Sequence, residues 1–319
     1  MEAKIREIIA ERTTKTARIR KLILLGVTRT EIARLLTNGN YGQVQNVYTK
    51  MKAEGLLNNV TEVISIPIIR FETRNFDKQF GVEFECYNVT RRTLIAKLTA
   101  AGINCHDEAY NHTTRGHWKI VNDSSIRGTN GLELVSPILQ GEAGLDEVMK
   151  VCSVLKKCGA KVNRSCGTHV HINARNFTLE QWKRIYINYA RLEKVIDNFM
   201  PSSRRRNTNT YCKGFANISN FENKVQSATS LSEIRSILNN SRYWKVNPES
   251  YSRHNTCEFR QHSGTTDYVK IGSWIRFLSN LVDYSENNLV TDRTINGLTA
   301  FNSNELTDYF KYRTLELAA

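Results

Sequence analysis

Four stretches of the 319-residue chain alternate acids, histidines and an arginine with apolar residues. The first is Gly81-Val82-Glu83-Phe84-Glu85-Cys86-Tyr87, where Glu83 and Glu85 share one face of a strand and Val82, Phe84 and Cys86 the other. The second, Leu132-Glu133-Leu134-Val135, puts Glu133 opposite two leucines. In the third, Thr168-His169-Val170-His171-Ile172-Asn173, both histidines and Asn173 fall on one side. The fourth, Thr256 to His262, sets Glu258, Arg260 and His262 against Cys257, Phe259 and Gln261. A single pair of strand acids reads as a solvated face, because carboxylates are seldom buried without a cation. Four such stretches read otherwise. Glu83, Glu85, Glu133 and Glu258 would repel one another in one cleft unless cations sat among them. Oxygen ligands with few histidines favour Mg²⁺ or Mn²⁺ over Zn²⁺. Arg260, two residues from Glu258, suits a phosphate. Divalent metal, carboxylates and arginine are the apparatus of phosphoryl transfer. The chain has no G-x-x-x-x-G-K-[ST] loop, which excludes a P-loop enzyme.

The elements that must position these residues follow from periodicity. Helices are expected over residues 91–101 (Leu94, Ile95, Leu98 and Ala101 inward), over 143–158 (Leu145, Val148, Met149, Cys152 and Leu155 inward), and from the capping box at Thr178-Leu179-Glu180-Gln181 to Pro201. Shorter helical patterns surround Leu231–Leu238 and Ile271–Leu281. Trp118–Val121 reads as a strand, and Val162 as the opening of the strand that carries the histidines. The Arg204-Arg205-Arg206 run reads either as a solvated loop or as an anion-contacting lid. The expected fold is α+β: a mainly antiparallel sheet with helices on one face and an open polar cleft on the other.

Composition bounds the rest. The chain carries 45 Lys and Arg against 31 Asp and Glu, a formal charge of +14, which favours a polyanionic partner. No apolar run approaches the ~20 residues of a membrane span, and the amino terminus shows no signal-peptide pattern. Seven cysteines at irregular spacing, with no C-x-x-C pair, suit a reducing cytoplasm.

Residues 1–59 hold 11 Lys and Arg against five Asp and Glu. Within residues 16–52, Ile19, Leu22 and Ile23 mark one helix that Gly26 ends. Thr28 or Thr30 caps a second with Ile32, Leu35 and Leu36 inward. A third follows the Asn38-Gly39-Asn40 turn, with Val44, Val47 and Met51 inward and Gln43, Gln45, Asn46, Tyr48 and Lys50 outward. This pattern resembles a helix-turn-helix module, with Gly55-Leu56-Leu57 as the end of a winged variant. Its polar face suits nucleic acid, and the alternative is a small bundle that docks on protein. An edge strand is expected within Val63–Ile69, and the domain boundary near residue 60. That gives a 1–59 helix-turn-helix-like domain and a 60–319 catalytic domain whose tail after residue 286 has no assigned role.

The order of the four motifs, with Gly131-Leu132-Glu133-Leu134-Val135-Ser136-Pro137 and Cys166-Gly167-Thr168-His169-Val170-His171 in the middle, resembles the amidoligase family over residues 78–280. These are ATP-dependent carboxylate–amine ligases with the catalytic fold of glutamine synthetase and glutamate–cysteine ligase. The resemblance implies Glu83, Glu85, Glu133 and Glu258 as metal ligands. It implies His169 and His171 near metal and ATP phosphates, and Arg260 on a phosphate. It also suggests a nucleotide or substrate role for the segment Tyr243-Trp244-Lys245-Val246-Asn247, with Lys245 and Asn247 as its polar members, and the handling of an incoming amine by Asp123. The arginines that hold free glutamate in glutamine synthetase have no evident counterpart, nor has its small amino-terminal domain, so glutamine synthesis itself is not expected. The expected activity is amide formation through an acyl phosphate, joining an amino acid, peptide or polyamine. A phosphotransferase on the same fold, and a non-catalytic DNA-binding protein, are the alternatives.

Overall fold

The computed structural model describes residues 2–37, 39–57, 60 and 76–318. It divides into two compact units, Met1–Glu72 with Ser303–Ala319, and Thr73–Asn302. The expected edge strand within residues 63–69 lies outside the described residues. No helix among those described is long and apolar enough to cross a membrane.

The first unit begins with four helices: α1 (Glu2–Ala10), α2 (Lys15–Leu24), α3 (Arg29–Leu36) and α4 (Tyr41–Ala53). Side-chain oxygens of Thr14, Thr28 and Asn40 cap α2, α3 and α4 by accepting backbone N–H bonds, so Thr28 rather than Thr30 opens the second expected helix. Ile19, Leu22, Ile23, Ile32, Leu35, Leu36, Val44 and Met51 are all buried, as their spacing predicts. Sequence periodicity assigned nothing to residues 2–10, yet Ile5, Ile8 and Ile9 complete this core. The run Gly55-Leu56-Leu57 is a turn, and no strand precedes residue 79 among the described residues.

The second unit is built on one sheet. Its strands are β1 (Gln79–Cys86), β2 (Cys105–Asp107), β3 (Trp118–Val121), β4 (Leu132–Val135), β5 (Leu139–Gln140), β6 (Thr168–Asn173), β7 (Val246–Asn247) and β8 (Thr256–Phe259). They lie in the order β2-β3-β4-β1-β6-β8-β7, with β5 also on β1. Only the β2–β3 pair is parallel. The helices are α5 (Arg91–Ala100), α6 (Gly141–Lys157), α7 (Leu179–Asn198), α8 (Phe221–Ser227), α9 (Leu231–Ile237), α10 (Ser250–His254) and α11 (Tyr268–Tyr284). The apolar stripe of α11 (Ile271, Trp274, Phe277, Leu278, Leu281) is buried against α6, α7 and β6. The expected α+β fold, with a mainly antiparallel sheet, is therefore present.

Four details differ from the periodicity. Met149 on α6 is 43% exposed, and Ala101 lies past the end of α5. Val162 is at the surface, and the histidine strand starts only at Thr168. Strand β8 stops at Phe259, so the alternation fails beyond Arg260. His262 packs its ring against Trp274 of α11 instead of joining the polar face.

The tail closes with α12 (Asn304–Ala318), which packs against α1 and α3 in the first unit. Tyr312 enters that unit's core, and Leu315 packs on it. The sequence alone reads these residues as the end of the catalytic domain, whereas residues 303–319 group with the first unit.

Candidate active site

Strand register brings the four motifs into one row. Glu83 of β1 pairs with His169 of β6, and Glu85 pairs with Glu133 of β4. Across the next strands, His171 of β6 pairs with Glu258 of β8, which pairs with Asn247 of β7. Side chains alternate along a strand, so paired residues project to the same face. Glu83, Asp123, Glu133, His169, His171, Asn247, Glu258 and Arg260 all line one cleft on that face.

Glu83 is the hub. Its carboxylate oxygens lie 2.7 Å from His169 Nδ1 and 3.2 Å from His171 Nε2. Burial pushes its pKa up, but the hydrogen bonds from both imidazoles outweigh this and hold it well below the usual carboxylate range. Burial likewise opposes ionisation of Glu258. There the nearby Arg260 guanidinium, which also donates to its Oε1, keeps the carboxyl below its ordinary value. Asn247 Nδ2 donates to the other Glu258 oxygen at 2.5 Å. His171 Nδ1 meets Thr256 Oγ1 at 2.9 Å, which fixes the ring that faces Glu83.

Glu133 contrasts with these two. Among the described residues, no hydrogen bond or ion pair reaches its carboxyl. Burial first, then the charges of Glu83, Glu85 and Asp123, drive its pKa well above the carboxylate range. Asp123 sits in the loop after β3, where its Oδ1 accepts the backbone N–H of Ser125 at 2.7 Å. Glu85 is nearly enclosed at 6% exposure. Its Oε2 accepts the Gly167 N–H at 2.6 Å, and His169 Nε2 lies 3.5 Å from its other oxygen. A Cβ at position 167 would stand 3.0 Å from His169 Nε2 and 3.2 Å from Arg204 Nη2, so a larger residue there would press on both side chains.

Three ligand sets have all their donor atoms within 4.8 Å of one another: Glu83–His171–Glu258, Glu83–Glu133–His169, and Glu85–Asp123–Glu133. Adjoining sets that share Glu83 and Glu133 fit divalent cations of the oxygen-preferring kind. An acid such as Glu133, surrounded by like charges and without a donor, is what a cation would relieve.

Two expectations need correction. Lys245 does not face the cleft. Its ammonium is fully buried among the helices, 2.7 Å from both Glu193 and Asp197 of α7. Strand β7 begins only at Val246, so the alternation that places Asn247 does not extend back to Lys245. The Arg204–Arg206 run is mixed: Arg206 is exposed, as in a solvated loop, and none of the three lines the cleft. Arg204 is buried, Arg205 Nε donates to Met200 O at 2.7 Å, and the Arg206 backbone N–H donates to Asp197 at 2.8 Å.

The cleft also holds residues that the sequence reading does not single out. Lys119 of β3 is buried and donates to Asn111 O, Asn111 Oδ1 and Thr113 O at 2.8–3.2 Å. It thereby ties the 108–117 loop to the sheet and carries Tyr110 and His112 to the cleft wall. Arg242, Arg253 and His254 reach the same cleft from the segments around β7 and α10. Only the polar residue types of these loops hinted at such roles.

Residues 77–282 match the family described as "Putative amidoligase enzyme". The chain belongs to this amidoligase family. The match begins two residues before β1 and ends inside α11, so it spans the whole sheet and every motif. No curated protein matches the chain. Among solved structures, a "novel glutamine synthase homolog" is similar at 11% identity and a TM-score of 0.40, over 76% of this chain and 67% of the other. A likeness that distant decides nothing about the site.

Proposed function

We propose that the amidoligase unit is an ATP- and Mg²⁺-dependent carboxylate–amine ligase. The observation that carries this is the convergence of carboxylates at the cleft: Glu83, Glu133 and Glu258 lie together, and among the described residues only Arg260, His169 and His171 make ion pairs with them. Glu83, Glu133, Glu258 and Glu85, with His169 and His171 beside them, would hold Mg²⁺. The ion would supply charge neutralisation for ATP phosphates. Glu258 orients the Arg260 guanidinium, which leaves donors free for a phosphoryl oxygen. His169 and His171 favour the ionised form of Glu83, Arg260 does the same for Glu258, and Asn247 holds the other Glu258 oxygen.

In this reading the carboxylate of the acid substrate attacks the γ-phosphorus of ATP, and ADP leaves. An amine then attacks the acyl carbon of the resulting acyl phosphate. The amide bond forms, inorganic phosphate departs, and the amine would lose its proton to Asp123. The substrates are an acid and an amine of the amino acid, peptide or polyamine type. The seven free thiols suit action in the reducing cytoplasm.

Phosphate release from ATP tests the proposal, measured with Mg²⁺ against a panel of acids and amines. Release that needs both an acid and an amine, and is lost in Glu83→Ala and Glu258→Ala, is the expected result. A stable phosphorylated product without any amine would instead mean a phosphotransferase. No nucleotide turnover with any pair would remove the enzyme reading.

For the amino-terminal unit we propose nucleic-acid binding through α4. Four residues, 37–40, separate α3 from α4, a spacing that suits a helix-turn-helix. Arg29 stacks on the Tyr48 ring at 4.2 Å and donates to Gln45 at 2.9 Å. Gln43, Asn46 and Lys50 remain exposed for bases and phosphates. Titration of a labelled duplex should show salt-dependent binding that Gln43→Ala and Lys50→Ala weaken. Binding unaffected by either substitution would contradict this.

A further inference from the structure

The loop that carries Asp123 is anchored on both sides of that residue. Before it, Asn122 Oδ1 accepts from the Arg91 guanidinium of α5 at 2.6 Å. After it, Arg127 is held through its backbone. The Arg127 N–H donates to Ser165 Oγ at 2.9 Å, and the Arg127 carbonyl accepts from Asn163 Nδ2. Two residues on, Thr129 O accepts the Asn88 N–H at 2.7 Å, just past the end of β1. Between these bonds Gly128 lies against the Tyr87 ring with φ at +142°, and any Cβ there would overlap the ring.

Asn163 does more than its own turn needs. Its Oδ1 accepts the Ser165 N–H at 2.8 Å and the Ser165 hydroxyl at 2.6 Å, and its carbonyl accepts the Cys166 N–H at 3.0 Å. These bonds shape the 163–166 turn, an ordinary task for Asn. The turn makes no use of Nδ2, which reaches Arg127 O, 36 residues away in the chain. Both polar backbone groups of Arg127 are thus met by side chains of one turn, much as a partner strand would meet them. The same turn leads into Gly167, whose N–H donates to Glu85 Oε2 at 2.6 Å. One short segment therefore holds Glu85 from one direction and the Asp123 loop from another. Asp123, Glu85 and Glu133 each offer an oxygen within 4.8 Å of the other two. Among the described residues, Asn163 makes no hydrogen bond to any of these acids, so its influence on them passes through the loop.

We infer that Asn163 is a positioning residue of the acid row: by holding Arg127 it sets Asp123 beside Glu85 and Glu133, where the three can share a cation. This deepens the proposed function and rests on its cation, though not on turnover.

Mn²⁺ binding to the full-length protein, followed by electron paramagnetic resonance without nucleotide, tests the inference. Asp123→Asn should weaken at least one bound Mn²⁺ by tenfold or more. Asn163→Asp keeps the Oδ1 that builds the turn and loses the donor to Arg127 O. It should weaken the same ion by roughly tenfold, the lower end of the range for outer-layer partners of metal sites. Ser165→Ala, which changes no charge and deletes the acceptor of the Arg127 N–H, should act in the same direction, and it carries the comparison if Asn163→Asp does not fold. Asn163→Asp/Asp123→Asn should bind no more weakly than Asp123→Asn alone, because the loop then has no ligand to place. Wild-type circular dichroism spectra qualify each variant. Full affinity in Asn163→Asp and Ser165→Ala, full affinity in Asp123→Asn, or losses that add in the double variant would each overturn the inference and leave the cation site standing. No Mn²⁺ binding by wild type would overturn the inference and the cation together, so the two failures are distinct.

Discussion

Two groups of buried charge sit on opposite sides of the same sheet, and they are balanced in opposite ways. Behind the sheet, Lys245 lies 2.7 Å from both Glu193 and Asp197. The remaining lone pairs there are taken as well: Asp197 accepts from Gln261 at 2.6 Å and from the Arg206 backbone, and Glu193 accepts from the Phe215 N–H at 3.0 Å. Tyr189 closes the network by donating to Gln261 at 2.7 Å. In front of the sheet, several acids converge with few ion-pair partners, and the Glu133 carboxyl has no donor among the described residues. Burying a charge costs several kcal/mol unless partners satisfy it. The first group meets that condition internally and so reads as structural. The second does not, and its unmet charge is what a cation and a phosphate-bearing substrate would satisfy.

The comparison predicts that equivalent deletions fail differently. Lys245→Ala strands two buried carboxylates and should destabilise the fold by about 3–5 kcal/mol. Denaturant unfolding checks this, and a change under about 1 kcal/mol would dissolve the distinction. Glu133→Ala, which removes an acid without a donor, should leave unfolding close to wild type. It should lower Mg²⁺-dependent phosphate release by about 100- to 1000-fold, the range for loss of one electrostatic stabiliser. Asn247→Ala removes the bond that steadies Glu258 and the one its Oδ1 accepts from the Glu249 N–H. An effect of about tenfold on the same rate is expected, in keeping with second-layer partners of a metal site. Near-wild-type Mg²⁺ affinity would instead assign Asn247 a purely structural place.

How much of this contrast was legible depended on strand length. Strand β1 runs for eight residues, so strict alternation placed Glu83 and Glu85 without help from the fold. Strand β6 did the same for His169 and His171. Lys245 and His262 were misplaced because they adjoin strands of two and four residues, where alternation ends too soon to extrapolate. In each case a long-range partner decided the direction: Glu193 and Asp197 for one, Trp274 for the other. Other cleft residues were illegible for a similar reason. His112 and Arg242 lie on connecting segments with no period, Arg253 lies on a five-residue helix too short to show one, and Lys119 holds the 108–117 loop through bonds to backbone oxygens. The helix α12 escaped because its amphipathic pattern does not say which unit it will cover.

A smaller effect sharpens the comparison through pH. The folded-state pKa of Glu133 is raised by burial and by Glu83, Glu85 and Asp123. Its contribution to stability is therefore complete below the unfolded carboxyl pKa of about 4.3, and is lost as pH rises through the raised folded value. Metal-free Glu133→Gln should match wild type in acid and melt at a higher temperature above that window. Mg²⁺ should close the gap by stabilising wild type alone. Parallel melts with chelator and with Mg²⁺ check this, and a lower melting point for the variant at neutral pH without metal would reverse the argument.

The central claim is that the unbalanced acid row binds a divalent cation. Electron paramagnetic resonance titration with Mn²⁺ tests it most directly, since free and bound ions give distinct signals. Wild type should sequester Mn²⁺, and Glu83→Gln/Glu258→Gln should release it while retaining the wild-type fold. Undiminished binding by that variant, or none by wild type with or without ATP, would contradict the account.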